Sequence, residues 1–513
     1  MSSTLETATH PERLRRVAIE PLTRVEGHGK VTLLLDDDDH VRQARLHIVE
    51  FRGFERFIQG RPFVELPVIV QRLCGICPVS HQLAAAKACD RFVGAETLSP
   101  TAEKMRRLMH FGQVLQSHAL HFFHLASPDL LFGFDDDPAH RNIVGLIRDQ
   151  PDLARRGVLL RRYGQEVIRV CSGKRIHGNA AIPGGVNKAL DNADRELLGI
   201  DIAQVIQWAE EVVGLMRRIF LAGGEEFRRF AAVPANTLSL VRPDGALELY
   251  DGGLRARDAA GRTLFDHASD QDYAALLHEQ VKPWSYMKFP FIAALGPETG
   301  WYRVGPLARV SNCDFIDTPR AERARQELVA LGDGRPVQAT LAIHWARLIE
   351  LLYCAEAIER LLGDPDLIGD DLVREGVPGA NGFRRTGIGV IEAPRGTLFH
   401  HYEIDADGLV SRANLIVSTT NNNQVMNESI RRVAQDELDG RTLTEPLLNR
   451  IEVAIRAYDP CLSCATHALG QMPLAVTLVR GDGEVLDQLR RDADGAVRRG
   501  PPGIAGAGDG MPR

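Results

Sequence analysis

Cys74-Gly75-Ile76-Cys77, followed by His81, and Cys461-Leu462-Ser463-Cys464, followed by His467, are the residues of this chain best suited to chemistry. Two thiolates two residues apart reach into one small volume, so two such pairs supply four sulfur ligands to a soft or borderline metal. Small zinc modules join their ligand pairs through a few tens of residues, because the metal replaces a core that the module lacks. Here most of a 513-residue chain lies between Cys77 and Cys461, and a chain of that length buries a core of its own. A metal that joins such distant segments is expected to serve chemistry. A structural zinc site is the lesser reading.

Arg72-Leu73-Cys74-Gly75-Ile76-Cys77-Pro78-Val79-Ser80-His81 near the start and Asp459-Pro460-Cys461-Leu462-Ser463-Cys464-Ala465-Thr466-His467 near the end resemble the large catalytic subunit of nickel-iron hydrogenases. The likeness runs over residues 17–467. It implies that the four thiolates hold nickel, with Cys74 and Cys461 terminal and Cys77 and Cys464 bridging to an iron that carries carbon monoxide and two cyanides. Cys461 is then the first proton acceptor when H2 is split. Glu26, in Arg24-Val25-Glu26-Gly27-His28, matches the family's relay carboxylate, and a buried glutamate with a raised pKa accepts and passes on a proton. Arg395, in Glu392-Ala393-Pro394-Arg395-Gly396, matches the arginine above the metals, where a guanidinium donates to an iron-bound cyanide. Pro394 belongs to the same canopy, and Ser418 or Thr419 is expected to serve the other cyanide. His81 is expected to hydrogen-bond a sulfur or a diatomic ligand. Glu55 and His467 match the ligands of a structural magnesium site that ties down the C-terminus.

Many membrane-bound relatives carry His-Asp-His on a long helix near the site, where this chain reads Gln116-Ser117-His118. That departure, with the run from Ser117 to Leu125 and Thr419-Thr420-Asn421-Asn422-Asn423, is most similar to the soluble NAD(P)-linked branch. The implied activity is reversible heterolytic cleavage of H2. No ferredoxin-like run of cysteines remains for clusters. Iron-sulfur clusters and flavin or NAD(P) are therefore expected in partners: an iron-sulfur small subunit and a diaphorase module. A maturation chaperone and a C-terminal endopeptidase are also implied, the latter removing residues 468–513 so that His467 becomes the mature end. Two alternatives keep parts of the pattern. A hydrogen sensor usually lacks a cleavable tail, and a non-catalytic quinone-reductase-like or zinc-stabilised scaffold typically lacks the cysteine pairs.

Apolar periodicity supplies the elements that must hold these residues. Helical spacing covers Thr101 to about Ala126, Ile202 to Phe230, Ala321 to Leu331, Gln338 to Leu362 and Thr444 to Tyr458. Pro78 opens a helix that puts Cys77 at its N-terminus, where the dipole favours thiolate. His110, His118, His121 and His124 read as core histidines. A hairpin is expected from Val17 to Glu50 around a solvated acidic turn at Asp36 to Asp39, and strands return from Arg384 to Val417. Ile182 to Val186 reads as a loop and Asp251 to His278 as a peripheral polar excursion. The expected fold is α+β and mainly α, a long-helix core with peripheral hairpins, its site buried between N- and C-terminal segments. Residues 1–16 are expected to be flexible, residues 474–489 to form a hairpin, and the Pro/Gly-rich end from Gly500 to be disordered.

Composition narrows the setting. With 44% apolar and 25% charged residues and a net charge of −7, nothing points to nucleic acid or an anionic membrane. No run of 18 apolar residues offers a membrane span, and Met1 to Glu6 has no signal-peptide character. Eight cysteines, of which Cys89, Cys171, Cys313 and Cys354 stand alone, suit a reducing compartment, and a cytoplasmic location is expected. Gly503, Gly506 and Gly508 fail as a dinucleotide fingerprint, since no helix can follow them.

Overall fold

Long helices form the centre of the computed structural model, which describes residues 5–374, 382–438, 441, 444–467, 474–479, 485–491 and 497–500. Pro100–Leu120 packs along Pro151–Ser172, and Ala342–Leu362 packs on both Pro100–Leu120 and Asn192–Ala222. Ala342–Leu362 is buried around nearly its whole circumference, as an interior helix is. Pro100–Leu120 starts where the Ser99 hydroxyl accepts from the Ala102 N–H at 3.1 Å, an N-cap, and continues through a π-helical turn at His121–Ala126 into Ser127–Phe132. The helix expected from Ile202 begins ten residues earlier, at Asn192. Leu197 and Ile200 in its first turns face outward, which blurs the apolar period there.

The N-terminal hairpin gains a third strand: Arg15–Ile19, Gly29–Leu35 and Val41–Ile48 form an antiparallel meander. At its turn one Asp36 carboxylate oxygen accepts from the N–H groups of Asp38 and His40, both at 3.0 Å, so the acidic run is the expected turn. Within the start that was expected to be flexible, Leu5 and Glu6 have partners. Leu5 is buried against Trp284 and Phe289, and Glu6 accepts from Gln43 Nε2 at 2.9 Å and Trp284 Nε1 at 2.5 Å.

The supposed polar excursion is also a correction. Gly253–Arg257 and Thr263–Ala268 join Asn236–Val241 and Tyr302–Arg303 in a four-stranded sheet. Leu254, Ala256, Tyr273 and Leu277 pack with Ile388, Val390 and Phe399, an apolar face that the alternating polar residues conceal in the sequence. Ala181–Ile182 and Gly185–Val186 pair as a minimal hairpin where a loop was expected.

Thr386–Ala393, Gly396–Ile404 and Val410–Ile416 form the expected return of strands, and the first hairpin closes over only Pro394 and Arg395. Beyond His467 the expected hairpin carries a third strand, in Leu474–Val479, Val485–Arg491 and Val497–Gly500. Residues 501–513, with the glycine motif, lie outside the described residues. Among the described residues no helix is long and apolar enough to cross a membrane. The architecture is the α+β, mainly helical one expected.

The contact between Pro100–Leu120 and Pro151–Ser172 depends on glycine. A Cβ on Gly164 would lie 2.6 Å from the Gly112 carbonyl oxygen and 2.8 Å from the Gln116 backbone nitrogen, atoms that cannot rotate away. Gly164→Val is therefore expected to destabilise the chain by about 1–3 kcal/mol. A lowered thermal midpoint would show it, and an unchanged one would mean that these helices do not approach so closely.

Candidate metal centre

The first cysteine pair lies between a 3-10 turn at Val70–Leu73 and the helix Pro78–Val93. Cys77 is the residue before that helix and Pro78 its first member, as the sequence requires. Cys74 Sγ accepts from the N–H groups of Ile76 at 3.2 Å and Cys77 at 3.1 Å. Side chains hold the carbonyls of this loop. Arg52 donates to Leu73 at 2.7 Å and Arg72 at 2.9 Å, His177 to Cys74 at 3.0 Å, and Gln113 and Gln116 both to Ile76 at 2.8 Å. Gln116 was noticed in the sequence only as a departure from relatives; its place here is to hold the cysteine loop.

The second pair follows the helix Glu445–Tyr458, which Asp459 ends with φ of 54° in the left-handed region. Cys461 then forms a parallel bridge with Glu26, and the Leu462 N–H donates to the Glu26 carbonyl at 3.0 Å. Gly27, at φ +80°, permits this approach: a Cβ there would lie 2.7 Å from the Ser463 nitrogen. The Thr466 carbonyl accepts from Arg52 at 3.1 Å and Gly53 at 3.3 Å, so both ends of the chain are joined by backbone hydrogen bonds.

This pairing brings the sulfurs of Cys74, Cys77, Cys461 and Cys464 within 4.8 Å of one another, all buried. Cys461 Sγ stands 3.4 Å from that of Cys74 and 2.7 Å from that of Cys464. Hydrogen bonds from Cys461, Cys464 and Cys74 hold Cys77 well below the usual thiol range, while burial pushes Cys461 and Cys464 well above it. Four such groups shed their protons together only with a cation among them, and an all-sulfur set suits a soft or borderline metal. With Cys77, Cys461 and Cys464, the residues His81, Pro394, Arg395, Ser418 and Thr419 help to line a small cavity of about 10 Å³.

Arg395 enters this space from the two-residue hairpin turn. It donates through Nε to the Asp459 carbonyl at 2.6 Å and through Nη2 to the Asp459 carboxylate at 3.0 Å. Burial alone would lower its pKa, but Asp459 and the sulfurs of Cys461, Cys77 and Cys74 outweigh that and hold it well above its ordinary value. Its Nη1 is buried without a partner. An orphaned guanidinium nitrogen facing a sulfur-lined cavity is what a bound group with acceptor atoms would satisfy.

The remaining expected residues divide. Glu26 is half-buried and not buried as expected, its carboxylate held by the Ser463 hydroxyl and by the Ser463 N–H at 3.3 Å. Ser418 lines the cavity, yet its hydroxyl donates to the Gly396 carbonyl at 2.7 Å, so that proton is not available to a ligand. Thr419 Oγ1 accepts from the Cys461 N–H at 2.9 Å and keeps its own proton to donate. His81 lines the cavity, and its Nδ1 lies 3.1 Å from His400 Nε2.

Glu55 Oε1 accepts from the Leu415 N–H at 2.8 Å, and burial pushes its pKa up to about 7. His467 is buried with both ring nitrogens unpartnered, and the Glu55 N–H donates to its carbonyl at 3.3 Å. Among the described residues, the groups of three or more His, Cys, Asp or Glu close enough for one ion are the four cysteines and Asp36, Asp38 and His40. A cation at Glu55 and His467 would thus complete its shell from water and carbonyl groups.

Sequence reasoning missed the support beneath the Pro394-Arg395 turn. Arg309, wholly buried, pairs with both oxygens of Glu350 at 2.6 Å and with Glu392 at 2.8 Å. It also donates to the carbonyls of Ala393 at 2.9 Å and Pro394 at 3.2 Å. His118 bonds Glu350 at 3.0 Å, and His110 bonds the Glu392 carbonyl at 3.0 Å, so both are core histidines as expected. No short motif marks Arg309, because its partners come from separate helices and strands.

Fold and site together define a protein that can hold a soft or borderline metal on four buried thiolates. The model of the family described as nickel-dependent hydrogenase matches residues 52–132 and 250–467, and a HoxL-like model matches residues 16–51. The NAD-reducing hydrogenase HoxS subunit beta of Cupriavidus necator is 48% identical over 93% of this chain and all of its own length. An F420-non-reducing hydrogenase subunit of Methanothermobacter thermautotrophicus is 41% identical, covering 91% of this chain and 98% of itself. A crystal structure of an NAD+-reducing [NiFe]-hydrogenase in the H2-reduced state superposes with a TM-score of 0.86 at 58% identity, over 88% of this chain and 99% of that one. The Ni-Fe-Se hydrogenase of D. vulgaris Hildenborough, at 23% identity and a TM-score of 0.70, shares the fold. The chain belongs to the nickel-dependent hydrogenase family, as its large, catalytic subunit.

Removing Arg309 would leave the buried Glu350 and Glu392 uncompensated, so Arg309→Met is expected to cost about 3–5 kcal/mol. The double variant Arg309→Met with Glu350→Gln should recover part of that loss in thermal unfolding. Equal midpoints for the single variant and the native chain would show that the network carries no stability.

Proposed function

We propose that Cys74 and Cys461 hold nickel as terminal ligands, that Cys77 and Cys464 bridge it to an iron with one carbon monoxide and two cyanides, and that electrons leave for NAD(P) through partner subunits. The observation that carries this reading is the unpartnered Nη1 of Arg395, buried beside four sulfurs that have no disulfide among them. When bound, the nickel-iron group supplies the electrophilic site that polarises H2 and accepts its electrons.

The chain's own groups then handle the proton. Cys461 Sγ, which lines the cavity, takes the proton first. Glu26 receives it next and passes it outward, its carboxylate fixed by Ser463 between the two cysteines of the second pair. Partial exposure suits a relay that must communicate with water. Arg395 donates to a cyanide and, with Pro394, roofs the cavity; Thr419 is better placed than Ser418 to donate to the second ligand. Glu55 and His467 hold magnesium, which supports the end of the mature chain.

The relatives named NAD-reducing, at 48% and 58% identity, support an NAD(P)-linked assembly with an iron-sulfur small subunit and a diaphorase module. Free buried cysteines fit a cytoplasmic enzyme. Loading by a chaperone and cleavage after His467 complete maturation.

Elemental analysis and infrared spectroscopy of the purified complex test the centre. Nickel with one CO band and two cyanide bands is expected, whereas stoichiometric zinc without such bands would overturn the proposal. Glu26→Gln should keep nickel and those bands while H2-driven NAD(P) reduction falls by roughly 10²–10⁴-fold, the usual contribution of a proton-transfer group. Full activity in that variant would remove Glu26 from the relay.

A further inference from the structure

Glu26 stands at the tip of a short loop. The Leu22 N–H donates to the Gly29 carbonyl at 3.1 Å, which closes residues 22–29, and the tip lies against Cys461 and Ser463. The limb that leads up to Glu26 is tied to the helix Glu445–Tyr458 through one residue. The Thr23 N–H donates to Glu452 Oε1 at 2.9 Å, and the Thr23 hydroxyl donates to Glu452 Oε2 at 2.7 Å. In return Arg456 donates through Nε to the Thr23 carbonyl at 3.1 Å and through Nη2 to the Thr23 hydroxyl at 2.8 Å. Every polar group of Thr23 is thereby bound to two side chains that stand one turn apart on a single helix.

Next along the limb, Arg24 turns into the left-handed region at φ 52°, a conformation that a side-chain-bearing residue keeps only where its surroundings hold it. Its guanidinium donates to Asp129 at 2.5 Å and to the Leu125 carbonyl at 2.8 Å. The other oxygen of Asp129 accepts from Arg456 at 3.0 Å, and Arg456 also pairs with Glu452. Arg141 joins the group, 3.4 Å from Asp129 and 2.7 Å from Glu445, so guanidinium and carboxylate charges balance. Asp129, Glu452 and Arg456 are buried, and breaking such a set by removing one member is costly. The helix that supplies Glu452 and Arg456 ends at Tyr458, just ahead of Cys461. One rigid set of charges thus fixes both the loop that carries Glu26 and the helix that leads into the second cysteine pair.

We propose that Thr23, Glu452 and Arg456 are positioning residues for proton transfer, holding the Glu26 carboxylate at a fixed separation from Cys461. The inference rests on the reading of Glu26 as the relay that receives the proton from Cys461. Ser463 aims the carboxylate, and the clamp at Thr23 keeps the loop behind it from drifting. Transfer between fixed groups depends steeply on their separation, and a displacement of about 1 Å costs on the order of 10²-fold in rate.

Thr23 is exposed, so Thr23→Val removes its hydroxyl bonds without opening the core. In the complex that carries this variant, nickel content and the infrared bands should stay native, while H2-driven NAD(P) reduction falls by roughly 10- to 10²-fold and its solvent isotope effect in D2O rises. Thr23→Ser, which keeps the hydroxyl, should restore both. The double variant Glu26→Gln with Thr23→Val should be no slower than Glu26→Gln alone, because position is immaterial once the relay group is gone. A Thr23→Val complex with native rate and isotope effect would overturn the proposal, as would loss of nickel, a displaced band or an additive loss in the double variant. Full activity in Glu26→Gln would defeat the relay reading and the positioning role with it, whereas a native Thr23→Val complex beside an impaired Glu26→Gln complex would defeat the positioning role alone.

Discussion

Four sulfur atoms held within 4.8 Å of one another and away from water form an arrangement that the chain cannot sustain as thiolates unaided. Mutual repulsion and desolvation both favour protons on the sulfurs, and a cation is what offsets them. The rest of the site follows from that constraint. Each cysteine loop is fixed from outside by groups that are not ligands, including Arg52, His177, Gln113 and Gln116 for the first pair and Glu26 and Thr419 for the second. A loop so held keeps its sulfurs close whether or not they repel.

The charged residues around the sulfurs are ordered in layers. Arg395 meets the cavity and is tied to Asp459, while Arg309 lies behind the hairpin turn and binds its carbonyls. Arg309 is shared between Glu350 and Glu392, and burial alone would make either carboxylate expensive to ionise. Arg309 holds Glu350 down at about 2, so at least one full negative charge balances it. A rigid ionic platform of this kind suits the role proposed for Arg395, because a guanidinium on a mobile turn would lose its aim as the charge at the centre changes.

Much of this was legible in the sequence because it is local. Two C-x-x-C motifs with trailing histidines gave the centre and the family, and helical periodicity gave the main core elements. Other features were hidden for physical reasons. Outward-facing Leu197 and Ile200 obscured the start of one helix, and alternation of polar residues disguised the strands at Gly253–Arg257 and Thr263–Ala268 as a surface excursion. Leu5 and Glu6 looked like a loose end because their partners, Trp284 and Gln43, are distant in the chain.

The sequence by itself determined the donor atoms: thiolates in two close pairs, a carboxylate at Glu26 and a guanidinium at Arg395 have their chemistry from residue type and short spacing alone. Tertiary structure decided which of their hydrogens and lone pairs remain available. The Ser418 hydroxyl is engaged in donating to the Gly396 carbonyl, while that of Thr419 accepts from the Cys461 N–H and keeps its hydrogen free to donate. These outcomes belong to contacts between separate segments, 22 residues apart for Ser418 and Gly396 and 42 for Thr419 and Cys461, and no local pattern encodes a hydrogen bond whose two ends meet only when the chain is folded.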